Sequence, residues 1–72
     1  MNETALKRTD ALNEANHVIF EQYGENPYPQ SITLGRLYDV HYDKKNREYY
    51  IYADNGNRSV TAFFTCKSKL YE

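Results

Sequence analysis

One cysteine, three glycines, two prolines and no long apolar run already exclude several kinds of protein for this 72-residue chain. The lone thiol, Cys66, rules out an internal disulfide framework and a cysteine-rich metal cage. A single cysteine suits a reducing compartment and usually serves as a small buried apolar residue. Gly24, Gly35 and Gly56 lie too far apart to form a glycine-rich phosphate cradle. The opening "MNETALKRTDALNEANHVIF" has no apolar stretch of signal-peptide or membrane-span length, so the expected location is cytoplasmic.

What is present fits one small domain spanning 1–72. A chain of this size buries only roughly 60% of its unfolded surface, so its core is thin. Net charge is −1, unevenly divided. Residues 1–30 carry two basic against five acidic side chains, and residues 31–72 carry seven against five. That asymmetry falls short of the basic stripe expected of a duplex nucleic-acid binder.

Hydrophobic spacing divides the chain into three pieces. Ala5, Leu12, Ala15, Ile19 and Tyr23 follow one another at intervals of seven, three, four and four, which predicts an amphipathic helix over residues 3–23. Val18 and Ala11 widen its apolar stripe, Glu3 and Lys7 form an i,i+4 pair, and Gly24 stands where a left-handed residue would end the helix. The stretch "ENPYPQS" cannot continue a helix, so residues 24–31 read as an extended connector. From Ile32 the period becomes two. "GRLYDVHYD", "EYYIYAD" and "RSVTAFFT" predict three strands, separated by "DKKN" and "DNGN" turns, with Asn-Gly the stronger signal. The tail through Leu70 and Tyr71 adds a fourth, edge strand.

The expected fold is therefore α+β, an N-terminal amphipathic helix packed on an antiparallel meander of three to four strands over residues 32–72. A bare meander needs a cover for one face, and the helix is the available apolar stripe. Strand pleating places Tyr38, Val40, Tyr42, Tyr49, Ile51, Val60, Ala62 and Phe64 under that helix. Tyr50, Tyr52 and Phe63 then face away, together with His41 and Leu37. Two outcomes are open for this outward set. Either the sheet curls over it into a second small core, or it forms an aromatic contact surface for a partner protein.

Other chemistries are thinly supplied. The imidazoles are His17, which a helix would leave solvated, and His41, which shares a strand face with Asp39. Without a nucleophile and an ordered base, no enzymatic role is expected. His17, His41, Cys66 and the aspartates lack paired ligand spacing, and "DKKNRE" and "DNGNRS" lack the alternating carboxylates of calcium loops. No metal or cofactor is expected. An alternative partner is single-stranded nucleic acid, with bases on the tyrosines and phosphates on Arg36, Lys44, Lys45, Arg47 and Arg58. Asp39, Asp43, Glu48 and Asp54 lie among those cations and favour the protein partner instead. Self-association is a further way to finish a half-covered sheet.

Gly35, Tyr38, Val40, Tyr49 to Tyr52, Asp54, Gly56 and Phe63–Phe64 form a pattern across residues 32–64. It resembles small proteins of bacteriophages and other mobile elements that carry a Src-homology-3-like barrel or meander. The resemblance implies a small accessory protein that inhibits or redirects a host protein, and it assigns no catalytic or binding residue.

Overall fold

Residues 17–23, "HVIFEQY", contain adjacent β-branched and aromatic side chains, and they form a strand. The computed structural model describes residues 6–24 and 31–72. Its elements are β1 (Arg8–Thr9), a 3-10 turn (Leu12–Glu14), β2 (His17–Tyr23), β3 (Leu37–Asp39), β4 (His41–Asp43), β5 (Glu48–Tyr52), β6 (Arg58–Ser59), α1 (Ala62–Thr65) and β7 (Cys66–Tyr71). They form a four-stranded sheet in the order β1-β7-β2-β3 and a three-stranded sheet in the order β4-β5-β6. All pairings are antiparallel.

This overturns the expected helix on a sheet. Over residues 3–23 the described part is a short strand, a 3-10 turn and a long strand; residues 3–5 of the span, and 25–30 of the connector, lie outside the described residues. The helical reading failed because Ala15, Ile19 and Tyr23 happen to recur at turn spacing while the local pattern also alternates. Val18 and Phe20 are fully buried, and Ile19 between them is only half-buried. Period two decided the outcome. The meander β4-β5-β6 is present, but the tail is no edge strand: β7 lies between β1 and β2, with Val18 opposite Leu70 and Phe20 opposite Ser68. A bulge at Glu21 shifts the register before Gln22 meets Lys67.

The two sheets share one extended run. β3 pairs with β2, and β4 pairs with β5. Val40 between them donates its N–H to Asn16 O at 2.9 Å, and Asn16 N–H donates to Tyr71 O at 2.8 Å. Residues 37–43 thus carry the chain from one sheet into the other. The core fills the space between sheets: Val18, Phe20, Ile32, Tyr38, Ile51, Ala53, Ala62 and Cys66. Phe20 anchors it, with its ring 5.7 Å from Tyr38 and 5.8 Å from Phe63. The four-stranded sheet, not a helix, covers the apolar side of β5.

Turn chemistry follows the sequence. Gly56 adopts φ +87°, its N–H reaching Ala53 O at 2.8 Å, while Ala53 N–H reaches Asn57 O at 2.8 Å. In the earlier turn, Asp43 Oδ1 accepts Lys45 N–H at 2.9 Å, and Arg47 takes a left-handed φ of 56°. The expected strand "RSVTAFFT" ends at Ser59. Residues beyond it turn helically, with Phe64 N–H and Thr65 N–H both 2.9 Å from Thr61 O. A rotation of roughly 100° per residue replaces alternation there. Ala62 is buried, Phe63 leans onto Phe20, and Phe64 stands 81% exposed. Among the described residues no helix is long and apolar enough to cross a membrane.

Candidate functional site

Three neighbouring strands, β4, β5 and β6, build an aromatic surface. His41 sits opposite Tyr50 in the β4–β5 pairing, and Tyr52 sits opposite Arg58 in the β5–β6 pairing. Alternation sends these side chains to the face away from Ile51 and Ala53. The His41 ring stacks on Tyr50 at 5.3 Å and meets Tyr52 edge-on at 5.2 Å, while Tyr50 and Tyr52 are perpendicular at 5.6 Å. The Arg58 guanidinium lies 4.2 Å above the Tyr50 ring and 3.4 Å from Asp43 Oδ2.

This roof changes the role of one expected contact residue. Tyr50 faces away from the core as pleating requires, yet His41, Tyr52 and Arg58 leave it only 9% exposed. Its phenol is held above the usual range, first by hydrogen bonding with Tyr52 and then by burial, with Arg58 acting the other way. Tyr52 and Leu37 remain open, at 45% and 44% exposure. They border a cavity of about 200 Å³ whose other walls are Arg36, Tyr38, Asp39 and His41. Of the five residues expected in the patch, Leu37, His41, Tyr50 and Tyr52 therefore come together. Phe63 does not: the helical turn carries it to Phe20 on the other side of β5.

A carboxylate fixes the edge of this surface. Asp54 accepts hydrogen bonds from Thr33 Oγ1 at 2.6 Å, from Tyr38 OH at 2.7 Å and from the Arg36 guanidinium. Tyr38 OH also accepts Thr33 N–H at 2.8 Å, and Asp54 N–H reaches Ser31 O at 2.8 Å. Residues 31–36 are thereby tied to the second sheet. Donation by Thr33 and Tyr38, with the Arg36 charge, holds the Asp54 carboxyl below its ordinary range, whereas burial pushes the Tyr38 phenol up.

The sign of the pH effect follows from linkage. A carboxyl whose folded pKa is depressed contributes stability that is complete above the unfolded value, near pH 4, and is lost as pH falls through the folded value. Asp43 is also depressed: burial opposes ionisation, but the Asn46 and Lys45 amides and Arg58 outweigh it. Urea midpoints for the wild type should therefore fall between about pH 6 and about pH 3. Asp54→Asn should lower the midpoint at the higher pH and flatten the slope, with the remaining slope from Asp43. An unchanged slope would remove Asp54 from this account.

The cations expected for phosphate contacts are differently placed. Arg36 and Arg58 are held by Asp54 and Asp43 and lie over tyrosine rings. Lys44, Lys45 and Arg47 are exposed in the turn between β4 and β5. The His41–Asp39 couple is not formed; Asp39 Oδ1 instead lies 3.0 Å from His17 Nδ1, its cross-strand partner. The pairing exists only because His17 lies in a strand beside β3; a helix over residues 3–23 would not set it opposite Asp39. Among the described residues no group of three or more His, Cys, Asp or Glu side chains is placed to hold a metal ion.

A second hollow, which the sequence pattern does not announce, lies between the sheets. It has a volume of about 320 Å³ and is walled by Leu12, Tyr49, Val60, Phe63 and Leu70, with Phe64 on its lip. Its signal was faint, because only a helical turn at 62–65 separates Phe63 from Phe64. No protein-family model, curated protein or solved structure matches this chain, so the two surfaces themselves are the ground for any functional reading.

Proposed function

We propose that the chain is a small, non-enzymatic protein-binding module whose contact surface is the aromatic face around Tyr52. The observation that carries this reading is an open Tyr52 and an open Leu37 on the rim of one cavity, over a base of immobilised rings. Tyrosine contributes contact area at low entropic cost, and rings already packed on one another lose little freedom on binding. The likeness to small phage accessory proteins belongs to the same proposal. A meander that shares one strand run with a second sheet is compatible with a small barrel, and such a protein would inhibit or redirect a host protein. A buried, unpaired Cys66 suits a reducing, cytoplasmic setting.

Charge favours a protein over a nucleic acid. On this face Arg36 and Arg58 are neutralised by Asp54 and Asp43, and Asp39 adds a further negative charge. A backbone of phosphates would meet paired cations.

Tyr50 is a poor probe because its ring is covered. The test is Leu37→Ser with Tyr52→Ser, two exposed positions whose replacement should leave the circular dichroism spectrum unchanged. Capture of partners from a lysate of the native host should fall at least about tenfold, since loss of one central tyrosine anchor costs about 2 kcal/mol or more. Undiminished capture by the double variant would remove this face as the contact surface. Capture of a fluorescent single-stranded oligonucleotide that weakens steeply with salt would replace the protein partner with a nucleic acid.

A further inference from the structure

Phe64 is 81% exposed, an unusual position for phenylalanine in so small a chain. It stands on the lip of the apolar hollow between the sheets, beside Phe63 on the wall. Leu12 and Leu70 come from the first sheet's side, Tyr49 and Val60 from the second's. Tyr49 and Tyr52 are on opposite faces of β5, so this hollow is separate from the aromatic surface.

We propose that the hollow is the interface for a second copy of this chain, each protomer inserting Phe64 into the hollow of the other. Knob and socket adjoin one another on the same molecule, the arrangement a two-fold interface requires, because each surface must complement itself. The volume of about 320 Å³ accommodates a phenyl ring with room for the partner's flanking chain. Charge makes the same case. Arg47 and Glu48 are neighbours on the rim of the hollow, and a two-fold axis beside them sets Arg47 of each copy against Glu48 of the other. The net charge of −1 imposes no long-range repulsion between copies.

Sedimentation velocity on the full chain from about 1 µM to about 1 mM tests this, a range that brackets weak to moderate association. A monomer–dimer equilibrium is expected in the wild type. Phe64→Ser should weaken it roughly thirty-fold, as removal of a central aromatic anchor does, without altering the circular dichroism spectrum. Arg47→Glu and Glu48→Arg should each weaken association by placing like charges together, and combining them should restore it. A wild type that stays monomeric at the highest concentration would overturn the proposal, as would a dimer indifferent to Phe64→Ser or a charge swap that fails to restore it.

Discussion

Phe20→Ala should leave the protein largely unfolded at room temperature, while Ile19→Ala should be tolerated. Phe20 is completely buried between the sheets and meets both Tyr38 and Phe63. Truncating a phenylalanine in such a site costs about 3–5 kcal/mol, from lost transfer energy and the cavity left behind. In a domain this small a single core rarely supplies more than about 3–5 kcal/mol, so that loss consumes most of it. Ile19 lies on the other face of β2, half-buried across from Lys69 and Leu37, and its truncation should cost about 1 kcal/mol. Urea unfolding followed by circular dichroism measures both. The contrast is decisive for the fold, because a helix over residues 3–23 buries Ile19 and leaves Phe20 outside its apolar stripe. Equal effects at the two positions would refute the strand register.

What could be read in advance differs between β5 and β2. In β5 the alternation was legible: Ile51 and Ala53 are buried, and Tyr50 and Tyr52 share the opposite face. The Asn-Gly turn was legible too, and counting back from it sets Tyr52 against Arg58. What the pattern did not contain was the cover. Burial of β5 depends on Val18 and Phe20 from a strand whose residues also satisfy a helical spacing, and that choice is made by pairing with β7, some fifty residues away. Tyr50 illustrates a second limit. Its direction follows from the pleat, but its enclosure follows from an arginine over its ring, which only the assembled meander positions. Tyr42, expected inside, is 45% exposed, with its ring 4.7 Å from that of Tyr49.

Gly24 should be less replaceable than either turn glycine, and for a different reason. Gly35 and Gly56 have φ of +83° and +87°, and a Cβ at either meets nothing within 4 Å. Alanine at Gly56 should therefore cost about 1 kcal/mol of left-handed strain, and asparagine, which tolerates that conformation, should cost less. Gly24 is not left-handed, contrary to a helix-ending role. It follows β2 where Tyr23 pairs with Cys66, and a Cβ there would lie 2.0 Å from the Thr65 carbonyl oxygen. Backbone cannot rotate out of the way as a side chain can, so α1 and the start of β7 must shift. Gly24→Ala should cost about 1–3 kcal/mol, the range for overpacking a close contact, and Gly24→Asn should be no better because it brings the same carbon. Denaturation midpoints for alanine and asparagine at the two sites separate the causes: asparagine rescues a left-handed glycine and cannot rescue a crowded one. If Gly24→Asn proves milder than Gly24→Ala, the demand at this position is conformational, and the close seating of β2 against the α1–β7 junction is wrong.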